Sequence, residues 1–158
     1  MPSEPAQVIV HATCISVGGK GILLLGDPGS GKSDLALRLI DTAGFGIGND
    51  PLTAQLIADD QVRLIRVEDH LEAQAPEALA GLLEIRGVGI VRVAHLASTH
   101  VDLAVRLRSQ GEIERMPDLA EQRHVVLGIS IPLVEIDPAA ASAPARIRAA
   151  VHHLFLRQ

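Results

Sequence analysis

The sequence predicts an α/β domain with more strand than a simple alternation of strands and helices would give. A fully apolar run at residues 22–26 leads into a glycine-rich loop and then into a helical pattern. That order is expected for a buried strand followed by a helix. Most of the remaining chain consists of short β-rich or alternating runs separated by turn residues, which is typical of strands.

The composition is that of a folded domain. The chain has 158 residues, of which 47% are hydrophobic, enough to bury a core. We expect one domain over residues 1–158, with a frayed tail at residues 1–6. Phe45 and Phe155 are the only aromatic residues, so the core must be aliphatic. No signal peptide is recognisable, and no apolar run approaches the roughly 20 residues of a membrane-spanning helix.

Charge and cysteine content narrow the class of protein further. The formal net charge is −5, and there is no cluster of lysine or arginine. Together with the lack of Trp and Tyr for base stacking, this argues against nucleic-acid binding. Cys14 is the single cysteine, so no internal disulfide can form and a reduced, cytoplasmic setting is favoured.

The first half of the chain predicts strands around one helix. Apolar residues recur at helical spacing in the segment that begins at Ser33, and Gly44 is a plausible end of that helix. The glycine- and proline-rich residues 45–53 predict a loop. The predicted strands and the turn of this half are 8–17 (strand), 18–21 (tight turn), 22–26 (strand) and 54–60 (strand ending in two carboxylates).

The second half predicts mostly strands and a closing helix. Ser142 can cap that helix and Pro144 suits its first turn, while Ile147, Val151 and Leu154 form one face. The other predicted elements are strands at 62–67 and 101–108, a helical turn at 76–82, two strands with a glycine turn at 82–93, an irregular polar segment at 111–124, and two strands over 124–137 joined or bent near Pro132.

Residues 26–33, GDPGSGKS, have the spacing of a phosphate-binding loop. The backbone N–H groups of residues 27–32 would surround the β- and γ-phosphates of a nucleotide. Lys32 would bridge those phosphates, and Ser33 would ligate Mg²⁺ through its hydroxyl. The candidate nucleotide-binding residues are Gly26, Asp27, Pro28, Gly29, Ser30, Gly31, Lys32 and Ser33.

Phosphoryl transfer also needs a second metal ligand and a group that handles the proton of the nucleophile. Asp59 and Asp60, at the end of a predicted strand, are the natural candidates. Side chains alternate along a strand, so the two would point to opposite faces unless the strand has already ended. One can then serve the metal or the acceptor while the other is held by structural hydrogen bonds.

Residues 82–93, LLEIRGVGIVRV, indicate which molecule accepts the phosphate. They resemble the signature LEIRGLGIINV of the bacterial HPr kinase/phosphorylase family. The resemblance continues in order through the phosphate loop, LIADD at 56–60, EIERM at 112–116 and the closing segment, about residues 8–157 in all. The chain looks like a short form of the family that consists of the catalytic domain.

The resemblance implies an enzyme that uses ATP and Mg²⁺ to phosphorylate a serine of HPr, the phosphocarrier of the sugar phosphotransferase system. Members of the family also remove that phosphate with inorganic phosphate, which yields pyrophosphate. Their catalytic domain resembles phosphoenolpyruvate carboxykinase at its nucleotide site and assembles as a hexamer. Lys32 matches the catalytic lysine of the family.

The same resemblance implies roles for five further residues. His11 matches an active-site histidine, and Glu84 matches a Mg²⁺ ligand beside Ser33. Asp60 matches the residue that accepts the serine proton and returns it in the reverse reaction, while Asp59 beside it would share that work. Arg115 matches an active-site arginine on a mobile loop.

Departures from the family and two rival functions remain open. The connection at 44–53 is longer than expected, and IPLVEIDP at 131–138 replaces the motif PVRPGR used in dephosphorylation, which favours kinase over phosphorylase activity. The rivals are a small-molecule kinase or NTPase and a regulatory module that binds nucleotide without turnover. The remaining histidines show no metal-ligand spacing, so we expect these to be structural or solvated: His70, His95, His100, His124, His152 and His153.

Overall fold

The computed structural model describes residues 4–156 and has a mixed α/β fold built on a curled sheet. This confirms the predicted class, with many strands and two helices longer than one turn in the described range. The elements are β1 (Gln7–His11), β2 (Thr13–Val17), β3 (Lys20–Leu25), α1 (Lys32–Asp41), β4 (Ala54–Ala58), β5 (Gln61–Val67), β6 (His70–Gln74), β7 (Leu82–Ile85), β8 (Gly89–Arg92), β9 (Ser98–Leu107), β10 (Arg123–Val126), β11 (Ile129–Ile136) and α2 (Ala143–Phe155). Short 3-10 turns lie at Glu77–Leu79 and Gln110–Glu112.

The main sheet is organised around β9. Its strands run in the order β1-β5-β6-β9-β3-β2-β4, with β11 also pairing with β9 and β10 pairing with β11. β9 is parallel to β3 and to β11, so the carboxyl ends of these three strands share one edge of the sheet. Such an edge is where α/β proteins commonly bind ligands. A separate hairpin, β7–β8, covers residues 82–92.

Alternate residues of β3 pack into two hydrophobic cores, one on each face of the sheet. Ile22 and Leu24 pack with α1 and α2, whereas Leu23 packs with Cys14 and the strands of the opposite face. A strand buried on both faces must be apolar throughout, which explains the run at 22–25. Burial raises the pKa of the Cys14 thiol far above its usual range, so Cys14 stays protonated and packs as a small apolar residue.

A buried arginine of α2 determines where α1 ends. Arg148 is 4% exposed and donates hydrogen bonds to the carbonyls of Leu39, Thr42 and Leu52. Burial lowers its pKa, but the C-terminus of a helix favours a cation. The predicted stop at Gly44 was therefore wrong. α1 ends at Asp41, and Gly44 instead bridges to Leu52 at the neck of the loop.

Three further predictions about local structure need correction, and one strand was missed. The strand predicted at 8–17 is broken at Ala12 into β1 and β2, because β1 pairs with β5 while β2 pairs with β3. β6 was not predicted. The turn of the last hairpin lies at Leu127–Gly128, both with positive φ, and not near Pro132, which lies inside β11. Ser142 occupies the N-cap position without a side-chain cap bond.

The chain termini and the connections complete the description. Residues 1–3 of the predicted frayed tail lie outside the described residues, and residues 4–6 have no regular structure. The loop at 45–53, the helical turn near 76–82 and the pair of strands at 82–93 are confirmed. Within residues 4–156 no helix has the length and apolarity needed to cross a membrane.

Candidate active site

The phosphate-loop motif begins directly after β3 and ends with the first two residues of α1. Gly29 and Gly31 have φ values of +79° and +103°, a left-handed conformation that glycine adopts without strain. A Cβ at Gly26 would overlap the hydroxyl of Ser30. That hydroxyl is buried without a hydrogen-bond partner in the described structure. The glycines of the motif are thus required by the shape of the loop itself.

Lys32 is folded back over the loop. Its Nζ donates hydrogen bonds to the carbonyl of Gly26 at 2.6 Å and to that of Asp27 at 3.0 Å. These neutral carbonyls are weaker partners for an ammonium group than a phosphate would be. The lysine is therefore positioned at the loop and has stronger bonds to gain from an anionic ligand.

Asp59 is the structural centre of the site. It is 7% exposed, and its Oδ1 accepts hydrogen bonds from Thr13 Oγ1 at 2.9 Å and Ser33 Oγ at 2.7 Å. Its Oδ2 accepts the backbone N–H of Glu84 at 3.2 Å. One carboxylate thus joins β2, the start of α1 and β7. A hydroxyl and a carboxylate in contact are the kind of oxygen ligands that Mg²⁺ prefers.

Asp60 points the other way, into solvent. β4 ends at Ala58, and Asp60 adopts a φ of +69°, which aspartate tolerates better than most residues. Its Oδ1 lies 3.7 Å from Nδ1 of His11, with the two side chains 72% and 76% exposed. The two aspartates therefore have different tasks available to them, since one is buried and bonded and the other is accessible.

Several of these groups line a pocket of about 450 Å³, which we call the phosphate pocket. It brings together the predicted Lys32, Ser33, Asp60 and Glu84. Asp59 and His11 do not line it, but Asp59 is bonded to Ser33 and His11 lies 3.7 Å from Asp60. The lining residues are Thr13, Pro28, Gly29, Gly31, Lys32, Ser33, Asp34, Leu37, Asp60, Glu84, Ile85 and Arg86.

Arg115 lies elsewhere. It lines a second pocket of about 430 Å³, which we call the arginine pocket. This pocket is formed by the segment 110–122, the end of β11 and one face of α2. Its lining residues are Gln110, Ile113, Glu114, Arg115, Pro117, Leu119, Gln122, Val134, Glu135, Ile136, Arg146 and Ala150.

Sequence reasoning assigned no chemistry to Thr13 or Arg86, both of which line the phosphate pocket. Thr13 lies 46 positions from Asp59, its hydrogen-bond partner, so no local pattern in the sequence predicts that contact. Arg86 carried a signal, because it follows Glu84 and Ile85 in the segment that resembles the family signature. At the tip of the β7–β8 hairpin it brings a cation to the pocket that holds Lys32.

The fold and this site define a class: an α/β protein whose phosphate-loop motif lies where a buried strand leads into a helix, beside a buried carboxylate. The chain belongs to the HPr serine kinase C-terminal domain family, whose model matches residues 5–158. The family predicted from residues 82–93 is confirmed.

Named relatives agree with this membership. The HPr kinase/phosphorylase of Ralstonia nicotianae is 35% identical over 162 residues, which cover 96% of this chain and 47% of that protein. The HPr kinase/phosphorylase of Caldicellulosiruptor bescii is 37% identical over 141 residues, covering 82% and 42%. The chain thus spans about half the length of the curated relatives it matches. The solved HPr(Ser) kinase/phosphatase of Coxiella burnetii has a TM-score of 0.78 at 25% identity, over 94% of this chain and 97% of that one.

Proposed function

We propose that this domain transfers the γ-phosphoryl group of Mg²⁺-bound ATP to a serine hydroxyl of the phosphocarrier protein HPr. The observation that carries the proposal is the meeting of Lys32, the Ser33–Asp59 pair and the exposed Asp60 at one pocket. The relatives' names supply the acceptor, HPr. The reverse reaction, in which inorganic phosphate takes the phosphoryl group and yields pyrophosphate, is proposed as the weaker activity.

Nucleotide binding begins at the loop. Lys32 exchanges the carbonyls of Gly26 and Asp27 for oxygens of the β- and γ-phosphates. The backbone N–H groups of Gly29, Gly31 and Lys32 and the N-terminus of α1 would bind the same anions. The N–H of Ser30 instead donates to the carbonyl of Asp27. We expect this loop and the start of α1 to resemble the nucleotide site of phosphoenolpyruvate carboxykinase.

The metal ligands are proposed to be Ser33, Asp59 and Glu84. Ser33 and Asp59 are already in contact, and the side chain of Glu84 is exposed at the same pocket, so the oxygen donors present fit Mg²⁺. When bound there, Mg²⁺ would neutralise charge on the transferred phosphoryl group. Asp59 is added to the sequence-based ligand set because its hydrogen bond holds Ser33.

The acceptor is proposed to approach from the solvent side of Asp60. A serine hydroxyl is a poor nucleophile, and a carboxylate within hydrogen-bond reach orients it and takes its proton. Asp60 is exposed, as a base must be when its substrate is carried on another protein. His11 lies 3.7 Å from Asp60, so it is placed beside that carboxylate and would be near the phosphates. Lys32 and Arg86 would neutralise charge that develops on the phosphoryl oxygens.

The reverse reaction is proposed to be slower for a reason visible in β11. The segment 131–138 contains no basic residue, and its Asp137 accepts the backbone N–H groups of Gln110 and Ala139. Asp137 therefore ties the connection that follows β9 to the one that follows β11, and the segment offers no cation for inorganic phosphate. Asp60 would return the proton to the serine oxygen in that direction.

Assembly and location complete the proposal. We expect a hexamer, as the family resemblance implies, and several large apolar side chains are exposed on the described surface, including Val88, Ile90 and Met116. We expect the protein in the cytoplasm, a setting suited to the free Cys14 thiol.

The decisive experiment incubates the purified domain with Mg²⁺, ATP labelled at the γ-phosphate, and HPr. We expect label on HPr, and none on an HPr variant that lacks the acceptor serine. Label released only as inorganic phosphate would favour an NTPase or a small-molecule kinase. Nucleotide binding without any turnover would favour the regulatory module.

A further inference from the structure

The two halves of the main sheet meet at a short seam. β1, β5 and β6 form the antiparallel half, and β6 joins β9 through three residue pairs, Glu72↔His100, Ala73↔Thr99 and Gln74↔Ser98. From Val101 onward β9 pairs with β3 and then also with β11. Whatever strengthens the seam therefore ties the outer strands to the strands that carry the phosphate loop.

Three side chains with metal-ligating chemistry lie on one face of this seam. Glu72 is directly opposite His100, and His70 precedes Glu72 by two residues on β6, which places it on the same face. Their ligand atoms all lie within 4.8 Å of one another. The intervening Leu71 and Ala73 are buried, so the three polar side chains face outward.

The three side chains of the cluster are close together, and its two imidazole rings contact each other. The imidazole rings of His70 and His100 are stacked, with centroids 4.2 Å apart and an angle of 28° between the planes. Within residues 4–156, no hydrogen bond or ion pair ties Glu72 to either ring. Ligand lengths of about 2.0–2.2 Å put tetrahedral ligand atoms about 3.4 Å apart, so small side-chain rotations would close the three around one ion.

We propose that His70, Glu72 and His100 bind a divalent transition-metal ion, Zn²⁺ in the first place. Two imidazoles and one glutamate form a known ligand set for Zn²⁺ that leaves the fourth position to water. Asp69 Oδ1 lies 3.9 Å from Nδ1 of His70, beside the ring nitrogen that a carboxylate commonly orients in zinc sites. This proposal departs from the expectation that His70 and His100 are structural or solvated.

This site is separate from the phosphate pocket. Along β9, His100 lies six positions from Arg106, which pairs with Leu25 at the start of the phosphate loop. At about 3.3 Å per residue the two sites are about 20 Å apart. Nitrogen ligands also select a different metal from the oxygen ligands around Ser33. The ion would therefore act as a clip across the seam and stabilise the sheet without entering the chemistry.

The test is a titration of the metal-free full chain with Zn²⁺ alone as the probe. Mg²⁺ is kept in large excess so that the oxygen ligands of the phosphate pocket do not compete. Calorimetry should give a Zn²⁺ site, and Zn²⁺ at about 100 times its Kd should raise Tm by about 5–10 °C. A chelator should reverse the shift. Co²⁺ in place of Zn²⁺ should give the visible absorption of a four-coordinate site.

Variants identify the ligands. Loss of one ligand should weaken Zn²⁺ binding by about 100-fold or more and abolish the Co²⁺ band. His100→Ala and the milder Glu72→Gln both test this, and Glu72→Gln keeps the side-chain size if the alanine variant folds poorly. His95→Ala is the matched control, because His95 is exposed on a loop outside the cluster. It should bind Zn²⁺ as the unmodified chain does.

Two outcomes would overturn the proposal. One is no Zn²⁺ binding by the unmodified chain at micromolar concentration. The other is Zn²⁺ affinity and Co²⁺ absorption unchanged in both His100→Ala and Glu72→Gln, which would put the ion elsewhere. Because the readouts are affinity, Tm and absorption, the result does not depend on whether the domain is a kinase.

Discussion

The phosphate pocket and the arginine pocket have similar volumes, about 450 and 430 Å³, but they are built differently. The phosphate pocket is held by the ends of strands and a helix, and its central carboxylate is bonded to three elements. The arginine pocket is bounded by the connecting segment 110–122, whose regular structure is one 3-10 turn.

Ion pairs lie beside the arginine pocket, and of their members Glu135 lines it. Arg108 binds Glu135 at 2.9 Å and Glu112 at 3.0 Å, and these carboxylates raise its pKa. The Arg108–Glu112 pair is exposed and contributes little to stability, whereas the side chain of Glu135 is 11% exposed. The reacting groups with fixed positions therefore lie in the phosphate pocket. The segment around Arg115 has little regular structure and is suited to adapting its shape to a partner.

Replacing Lys32 gives the largest expected effect. In Lys32→Ala the γ-phosphoryl group loses its direct cation, and we expect transfer to HPr to fall by at least about 10³-fold. The measurement is single-turnover transfer from labelled ATP. Lys20→Ala is the matched control, since Lys20 is the other lysine of the chain and contacts the ring of Phe155. Near-normal rates in Lys32→Ala would remove the phosphate pocket from the chemistry.

The two aspartates should separate binding from chemistry within the phosphate pocket. Asp60→Asn removes a basic oxygen but leaves the loop intact, so we expect ATP affinity to survive and transfer to fall by about 10²-fold or more. Asp59→Asn puts an amide where three donors converge, so we expect a much higher Mg²⁺ requirement.

Calorimetry of ATP binding at several Mg²⁺ concentrations, beside single-turnover rates, checks both variants. Nucleotide affinity lost in step with activity in Asp60→Asn would make Asp60 a metal ligand. A normal Mg²⁺ requirement in Asp59→Asn would remove that residue from the metal site.

The arginines sharpen the comparison between the pockets. Arg86 lines the phosphate pocket and Arg115 the arginine pocket. We expect Arg86→Ala to lower kcat by about 10²-fold, the scale for losing one cationic or hydrogen-bonding group at the transition state. We expect Arg115→Ala to raise KM for HPr and to change kcat by less than about 10-fold.

Steady-state kinetics with HPr as the varied substrate separates these effects. Suppose that Arg115→Ala lowers kcat as much as Arg86→Ala does and leaves KM unchanged. That result would mean that the segment carrying Arg115 closes over the phosphate pocket during turnover. The resemblance to the family implies such an active-site role for Arg115, and this comparison tests it directly.

Arg148 lines neither the phosphate pocket nor the arginine pocket. Its replacement should therefore affect stability rather than rate. Arg148→Met leaves the carbonyls of Leu39, Thr42 and Leu52 without their donor. We expect a loss of about 2–4 kcal/mol in the free energy of unfolding. Denaturant unfolding measures it, with Arg146→Met as the exposed control on the same helix. A loss below that of Arg146→Met would show that Arg148 does not cap α1.

Local patterns in the sequence were sufficient for several parts of the protein. The phosphate loop, the buried strand before it, the helix after it and the β7–β8 hairpin depend on residues close together in the chain. The glycines of the loop are required by φ values and by a contact between Gly26 and Ser30. The family membership followed from residues 82–93, which form one such local unit.

Tertiary structure decided which distant residues meet. Ser33 and Thr13 lie 26 and 46 positions from Asp59, and the seam brings Glu72 opposite His100. These contacts depend on strand register, and a shift of one residue would turn every side chain to the other face. The residue types at the phosphate pocket could be predicted from the sequence, but not which of them meet. The separation of Arg115 from Lys32, the role of Asp59 and the cluster at His70 depended on how the sheet pairs, because register is set by the packing of the whole domain.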